Sequence, residues 1–216
     1  IVVLDIQASK EGHGPRMEKI AEIAGECFMP MGYGGGISTI QQMHDILFSG
    51  VEKVIVNSAA WSSPKLLDEA AQVFGSQSIV VSIDARKKLF GGFSVLSHGG
   101  TRKIRWNPVD AAKYAVDSGA GEILINSIDR DGTYTGYDIP LVRSVAEAVT
   151  VPVIACGGAS SVADFTLAVC EGQASAVAAG SMFVYHGPHK AVLINFPDEK
   201  MLTEQFFKKC DRTTKS

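Results

Sequence analysis

Short apolar runs that recur along the whole chain constrain its fold more than any other feature. Seven such runs begin near residues 1, 28, 53, 79, 122, 153 and 176, and most intervals between them are 23 to 31 residues long. That spacing fits one strand followed by one crossover helix. The runs are apolar without alternation, which is typical of strands buried on both faces of a parallel sheet. The pattern therefore predicts seven parallel βα units.

The segments between these runs carry the end signals of helices. Six helices are predicted, over residues 16–24, 39–48, 64–74, 108–118, 140–149 and 161–170. Ser63-Pro64 and Asn107-Pro108 place a capping side chain before a proline in the first turn, and glycines follow several last turns. The longest interval, 79–122, holds KLFGGFSVLSHGG, whose alternation around Gly91-Gly92 predicts an excursion hairpin.

Seven βα units predict a (β/α)8 TIM barrel from which the first unit is absent. The chain has 216 residues and begins directly in a strand. About 40 further residues would bring it near the roughly 250 that this barrel usually has. We therefore predict a single, N-terminally incomplete barrel domain over residues 1–216, with an atypical tail from about residue 186. The alternative is an open, doubly wound parallel sheet.

The two halves of the chain repeat one motif. GYGGGIST…VEKVIVNSAA and ACGGASSV…ASAVAAGSMF superimpose with Gly35 over Gly158 and Ser58 over Ser181, 23 residues apart in both copies. Each copy places glycines at the carboxyl end of one strand and a hydroxyl residue at the end of the next, where backbone N–H groups bind anions. Glycine also marks any tight βα turn, which is the alternative for a single copy. Two copies predict a long substrate with two phosphates.

Aspartates directly follow apolar strands at four positions. They are Asp5, Asp84, Asp129 and Asp131. At the carboxyl end of a barrel strand such side chains project from the catalytic face, where a carboxylate can transfer protons. A single aspartate there more often caps a helix or orders a loop. Four at one rim favour a catalytic interpretation.

Two charged residues precede apolar strands at the opposite strand ends. An inward-pointing Lys53 or Glu122 would have to be paired, because burying either charge alone is costly. A solvated loop that contains Glu52 and Lys53 is the alternative.

Charge and composition disfavour other classes of partner. The 20 Lys and Arg against 23 Asp and Glu give a net charge of −3, which leaves no basic excess for nucleic acid or anionic lipid. No apolar run approaches the roughly 18 residues that a membrane span needs, so we predict a cytoplasmic protein. The four cysteines and five histidines lack metal-ligand spacing, and neither a metal nor an organic cofactor is predicted.

Several longer motifs resemble the cyclase subunit (HisF family) of imidazole glycerol phosphate synthase. They are GYGGGI, VNSAA, FGSQSIVVSIDARK, GAGEILINSIDRDGTYTGYD and VPVIACGGA, and the match extends from Ile1 to about Phe183. The resemblance implies a lyase of histidine biosynthesis that uses ammonia from a glutaminase subunit docked on the amino-terminal face of the barrel. Its implied substrate is a bisphosphorylated formimino aminoimidazole carboxamide ribonucleotide. The implied products are imidazole glycerol phosphate and aminoimidazole carboxamide ribonucleotide.

The resemblance also implies roles for individual residues. Asp84 matches one of the family's two acid/base aspartates, while Lys53 and Glu122 match members of a charged ring at the ammonia entrance. The supporting candidates are Asp5, Asn126, Asp129 and Asp131. One phosphate site matches Gly36, Asn57 and Ser58, and the other matches Gly132, Gly158, Gly180 and Ser181. The family's other catalytic aspartate lies on the first strand of the family's barrel, which is the unit predicted to be absent from this sequence. We therefore expect the 216-residue chain by itself to turn over poorly.

Three departures from the family pattern resemble a paralogous branch. Asn126 stands where threonine is usual, Gly180 stands where alanine is common, and the ending FVYHGPHKAVLINFPDEK is unlike the usual terminal helix. That branch is similar to ammonia-channelling proteins that act with a glutamine amidotransferase on a nucleotide-linked surface sugar, as in the amidino sugars of lipopolysaccharide. Two further alternatives stay open: a related phosphoribosyl isomerase, and a non-catalytic barrel that docks and activates an amidotransferase.

Overall fold

The structure, a computed structural model, describes residues 1–63, 65–187, 189 and 191–213. These residues group into two compact units. Unit 1 comprises Ile1–Asp84 and Ser94–Ile123, and unit 2 comprises Ala85–Phe93 and Leu124–Ser216. The single-domain organisation inferred from the sequence stays a prediction.

Parallel strands in chain order form the sheet of unit 1. They are β1 (Val2–Leu4), β2 (Gly32–Gly34), β3 (Lys53–Val56) and β4 (Ile79–Lys87), the last of which continues into unit 2. Val2 pairs with Gly32, Gly32 with Lys53, and Val54 with Ile79. Val54 and Ile79 are fully buried, as expected for a parallel sheet that helices cover.

Six α-helices of unit 1 are described, and side-chain caps open two of them, at Thr39 and Asn107. The six helices are α1 (Ala8–Glu11), α2 (Met17–Glu26), α3 (Ile40–Phe48), α4 (Ser58–Ser62), α5 (Leu66–Phe74) and α6 (Pro108–Asp117). At α3, Gln42 N–H donates to Thr39 Oγ1 at 3.2 Å, and the Gln42 side chain accepts from Thr39 N–H. The predicted helices 39–48 and 108–118 are thus confirmed to within a residue. The helix predicted from Pro64 begins at Leu66, and Pro64 itself lies outside the described residues.

The excursion predicted after β4 is confirmed and contains a second turn. In unit 2, Lys88 N–H donates to Gly92 O at 2.9 Å around the predicted glycine pair. The strand β5 (Phe93–Ser97) then pairs antiparallel with β6 (Arg102–Lys103), with Ser97 opposite Arg102 in unit 1. The turn between β5 and β6 begins at His98, whose φ is 53°. Sequence analysis did not predict this second turn.

Unit 2 repeats the alternation of parallel strands and helices. Its strands are β7 (Glu122–Ser127), which begins in unit 1, β8 (Val153–Cys156) and β9 (Ala176–Ala178), and its first helices are α7 (Ile139–Ala146) and α8 (Val162–Cys170). Ile154 pairs with Ala176, and each strand again lies beside the next one in the chain. A doubly wound sheet reverses its strand order, and neither unit does so. The predicted barrel class, with consecutive parallel βα units, is confirmed.

The C-terminal segment packs against α8. It contains α9 (Ser181–Val184), the hairpin β10 (Tyr185–His186) and β11 (Ala191–Val192), α10 (Glu199–Leu202), a π-helical turn (Thr203–Phe207) and α11 (Lys208–Thr213). Thr166 Oγ1 donates to Gln205 O at 2.7 Å, and the rings of Phe165 and Phe206 meet edge to face. None of the described helices combines the length and the apolar composition that crossing a membrane requires.

Asp164 closes a capping box at the start of α8. Its Oδ2 accepts the N–H groups of Ser160 and Ser161, both at 2.9 Å, and the hydroxyl of Ser160 at 2.7 Å. Partial burial opposes its ionisation, but these hydrogen bonds outweigh burial and hold the pKa of Asp164 below its ordinary 3.8. The charged form of Asp164 therefore stabilises α8.

We expect Asp164→Ala to lower the free energy of unfolding by about 1 kcal/mol at neutral pH. A depressed carboxylate pKa contributes stability above its unfolded-state value, and that stability is lost as the pH falls through the lower folded-state value. Urea unfolding at neutral pH and at successive pH values below 3.8 should show the two stabilities converging. A difference that stays constant with pH contradicts this account. Glu69→Ala, which removes an exposed carboxylate from the first turn of α5, is the control.

Candidate functional site

Asp84 lies near the carboxyl end of β4 and is held by an amide from the neighbouring strand. The side chain of Asn57, the residue directly after β3, donates from Nδ2 to Asp84 Oδ2 at 3.0 Å within unit 1. Because β3 and β4 pair in parallel, their carboxyl ends meet at the same edge. Both residues are partly exposed. A carboxylate held in one orientation at a strand end can accept and return a proton.

The amide oxygen of Asn57 is a second feature of this place. Asn57 Oδ1 is buried and accepts no hydrogen bond from the described residues. An unsatisfied buried acceptor costs about 1–3 kcal/mol, so native proteins rarely keep one without a use. Asn57 Oδ1 can therefore accept a hydrogen bond from one more donor.

The first predicted phosphate cradle lies in unit 1, at the ends of β2 and β3. Gly35 and Gly36 follow β2 with φ of 128° and 68°. A Cβ at Gly35 would lie 2.5 Å from Asp5 O, and one at Gly36 would lie 2.6 Å from His13 O, so these positions accept only glycine. Gly34 pairs with Ile55, which places this turn next to the strand end that carries Asn57 and Ser58.

The second predicted cradle lies in unit 2, at the ends of β8 and β9. Gly158 has a φ of 108°, and a Cβ there would collide with the carbonyl oxygen of Gly136. A Cβ at Gly132 would lie 3.7 Å from Ser181 Oγ, so the turn after β7 reaches the start of α9. Gly180 immediately precedes that helix. The structure thus brings Gly132 and Ser181 together.

The internal duplication extends to the backbone conformation. Gly35 and Gly158 have φ of 128° and 108°. Asn57 has φ −121° and ψ −83°, and Gly180, at the equivalent position, has φ −111° and ψ −72°. Each copy thus turns from a strand into a short helix in the same way, with Ser58 or Ser181 as the first helical residue. The repeat predicted from the sequence is confirmed.

Two residues that sequence analysis missed contact the hydroxyl residues of the cradles. His98 N–H donates to Ser58 Oγ at 3.0 Å in unit 1, and Tyr134 Oη donates to Ser181 O at 3.1 Å in unit 2. Both have positive φ, 53° for His98 and 59° for Tyr134. Such strain in a non-glycine residue is often found at functional sites. The neighbouring glycines in SHGG and DGTYTG were the available signal.

Asp5 orders the loop after β1. Its Oδ1 accepts the N–H groups of Gln7 and Ala8, both at 3.1 Å, and Arg16 Nε lies 3.9 Å from its Oδ2. Burial and the nearby Asp5 carboxylate both raise the pKa of the Tyr33 phenol. These contacts match the loop-ordering alternative for Asp5.

The carboxylate of Asp129 is engaged at the turn after β7. In unit 2 its Oδ2 accepts Lys87 N–H at 2.6 Å, and Arg86 Nε lies 3.8 Å from Oδ1. Asp131 is exposed, and its backbone N–H donates to Ser127 O at 3.0 Å. Asp129 therefore joins the end of β4 to the turn after β7.

Asn126 on β7 lies beside the second cradle. A Cβ at Gly157 would lie 2.7 Å from Asn126 Oδ1, so glycine is required for the close approach of the two strands. Asn126 remains a candidate supporting residue.

Lys53 and Glu122 form an ion pair in unit 1. Lys53 Nζ lies 2.8 Å from Glu122 Oε1 and donates to Gln77 O, also at 2.8 Å. The two residues begin β3 and β7, at the amino ends of those strands. The two charges are thus paired with each other, and Lys53 is not part of a solvated loop.

The described residues include no group of three His, Cys, Asp or Glu side chains arranged to hold a metal ion. The remaining chemistry consists of an oriented carboxylate at a strand end and two glycine-lined turns that lead into hydroxyl residues.

These features define a duplicated (β/α) barrel protein with its candidate chemistry at the carboxyl ends of the strands. The family model described as "Histidine biosynthesis protein" matches residues 1–190, and the chain belongs to that family. The resemblance to HisF-family cyclase subunits is confirmed, and with it an enzyme subunit of the lyase class.

Individual relatives support this membership. A Pseudomonas aeruginosa PAO1 protein named "Putative imidazole glycerol phosphate synthase subunit hisF2" is 51% identical over 202 residues, which cover 94% of this chain and 80% of that protein. "Imidazole glycerol phosphate synthase subunit HisF" of Hyphomonas neptunium is 49% identical over 180 residues, 83% of this chain and 71% of its own. The protein of the same name from Alkaliphilus metalliredigens is 42% identical over 186 residues, which cover 86% of this chain and 74% of that protein.

Proposed function

We propose that this chain uses ammonia to close the imidazole ring of imidazole glycerol phosphate. The substrate is the bisphosphorylated formimino aminoimidazole carboxamide ribonucleotide, which is cleaved to release aminoimidazole carboxamide ribonucleotide. The observation that carries the proposal is the Asp84 carboxylate, which Asn57 orients at the edge where the first cradle also ends. The names of the relatives, which are subunits of imidazole glycerol phosphate synthase, support the same reaction.

The two cradles account for a bisphosphorylated substrate. One phosphate is held by Gly36, after β2, together with Asn57 and Ser58 at the start of α4. The other is held by Gly132 and Gly158, which follow β7 and β8, together with Gly180 and Ser181 at the start of α9. Backbone N–H groups at a strand-to-helix turn bind an anion without charged side chains, and they leave the middle of the substrate free to react.

Asp84 transfers protons during ring closure in this proposal. Attack of ammonia and closure of the ring require protons to leave nitrogen and to reach the departing amine. The Asn57 amide holds the carboxylate of Asp84 in one orientation near the carboxyl end of its strand. The resemblance assigns the partner acid/base aspartate to the family's first strand. The proposed reaction is tested by incubating the full natural protein with ammonium and the bisphosphorylated substrate. The release of aminoimidazole carboxamide ribonucleotide is then followed.

The ion pair of Lys53 and Glu122 marks the ammonia entrance in this proposal. A glutaminase subunit docked at the amino ends of the strands would deliver ammonia past this pair. We expect Lys53→Met to lower glutamine-dependent turnover roughly tenfold, the scale of a coupling free energy between two sites. Turnover with free ammonium should change much less, because Lys53 lies at the opposite strand end from Asp84. Steady-state rates with both nitrogen sources, measured on the complex, provide the comparison.

Lys113→Met on α6 is the matched control, since it removes an exposed lysine of the same unit. Equal losses with glutamine and with ammonium would show that the Lys53 pair is only structural.

A second candidate function is amidination of a nucleotide-linked sugar by the same channelled ammonia. The observations that favour it are Asn126, Gly180 and the ending FVYHGPHKAVLINFPDEK, which depart from the family pattern. Turnover of the sugar acceptor without turnover of the bisphosphorylated ribonucleotide would select this function. Stimulation of a glutaminase without chemistry on either substrate would select the docking alternative.

A further inference from the structure

A cationic cleft opens beside Ser58 in unit 1. Its volume is about 410 Å³, which is within the range of small-molecule sites. Its lining includes Ser58, Trp61, Arg102, Lys103, Arg105 and Trp106. No aspartate or glutamate is among the residues that line it. The cleft is therefore lined by both cationic and aromatic residues.

The three cations of the cleft have no counter-charge among the residues that the structure describes. Arg102, Lys103 and Arg105 are exposed. None of the ion pairs formed among the described residues involves them. Like charges that lie close together without counter-charges attract an anionic ligand.

The fold holds the Arg105 side chain and the backbone of Arg102 and Lys103 in place before any ligand arrives. Arg105 Cζ lies 4.5 Å from the centroid of the Trp106 ring, and Trp106 stacks on Tyr114 at 4.3 Å. A guanidinium fixed on a ring keeps its N–H donors available while losing little entropy on binding. Arg102 and Lys103 form β6, which is paired with β5.

The turn between β5 and β6 brings these cations beside the first cradle. His98, Gly99 and Gly100 have consecutive positive φ of 53°, 63° and 83°. The left-handed His98 costs about 1 kcal/mol, and its N–H donates to Ser58 Oγ. Ser58 thus belongs to the first cradle and also lines the cleft.

From this continuity we infer that the cleft binds a second phosphate adjacent to the one at Ser58, so that it accepts a diphosphate group. The inference rests on the proposed function for the phosphate at Ser58 and adds the cleft to it. The ligand class is a small molecule that carries two linked phosphates. One phosphate takes the backbone N–H groups at the start of α4, and the next faces Arg102, Lys103 and Arg105.

The tryptophans provide a direct signal for binding in this cleft. The chain has two tryptophans, and both line it. We expect inorganic pyrophosphate to change the tryptophan fluorescence of the full natural protein at concentrations about tenfold lower than orthophosphate requires, because one more phosphate gains charge-assisted hydrogen bonds. The double variant R102Q/K103Q should lose that tenfold preference and keep its affinity for orthophosphate.

Lys113→Gln, an exposed lysine of unit 1 outside the cleft, is the matched control and should change neither affinity. Pyrophosphate that binds no more tightly than orthophosphate overturns the inference, as does an unchanged preference in R102Q/K103Q. In both cases the cradle at Ser58 stands. Absence of a response to either anion overturns the cradle and, with it, the diphosphate site.

Discussion

Replacing Asp84 with asparagine is expected to lower kcat for ammonia-dependent ring closure by about 10²- to 10⁴-fold, the usual contribution of a positioned acid/base group. Asparagine has nearly the same size, so the packing around β4 should persist, but it cannot take up a proton. Substrate binding should be nearly unchanged, because the phosphates bind elsewhere in the proposal. Steady-state kinetics with free ammonium, combined with calorimetric titration of the substrate, separate the two effects.

The matched control is Asp68→Asn on α5. Asp68 is exposed and accepts a hydrogen bond from Gln72. This variant therefore makes the same chemical change on the surface of a helix instead of near the end of a strand. It should keep the rate of the unmodified protein. An Asp84→Asn protein that retained most of its ammonia-dependent activity would remove Asp84 from the mechanism.

A change of Gly158 to alanine should damage both the fold and the second cradle. The new Cβ would collide with the carbonyl oxygen of Gly136. Gly136 cannot easily move away, because its N–H donates to Gly158 O at 2.8 Å. A positive φ of 108° adds backbone strain. We expect a loss of about 3 kcal/mol in the free energy of unfolding. The KM for the bisphosphorylated substrate should also rise. This rise should be at least as large as the rise in the KM for a truncated substrate that lacks one of the two phosphates.

Gly92→Ala separates the collision from the strain. Gly92 also lies in unit 2 with a positive φ of 72°, but a Cβ there meets nothing within 4 Å. That variant should lose only about 1 kcal/mol and keep its KM. Urea unfolding of both variants measures the difference. Equal stabilities would show that the close approach at Gly158 is not needed.

The sequence predicts the scaffold well because its signals are local. The apolar runs locate the parallel strands, and Asn107-Pro108 and Thr39 mark helix starts that the structure confirms. The glycine repeat predicted matching turns, and Gly35 and Gly158 do share one conformation. Each of these features depends on a few neighbouring residues.

Contacts between loops were not predictable in the same way. His98 and Tyr134 reach the cradles only because separate turns meet, and nothing in their own sequence positions fixes those partners. Asp5 looked equivalent to Asp84, but the N–H groups of Gln7 and Ala8 occupy one of its oxygens. The cleft beside Ser58 depends on β6 folding back after a strained turn, which the glycine pair alone did not specify.

The most direct test of the proposed function follows the nitrogen of ammonia into the product. The full natural protein would be given isotopically labelled ammonium and the bisphosphorylated formimino ribonucleotide, and the products would be analysed by mass spectrometry. The proposal predicts that the label appears in the ring of imidazole glycerol phosphate while aminoimidazole carboxamide ribonucleotide is released unlabelled. An intact substrate, or an unlabelled imidazole product, would contradict it.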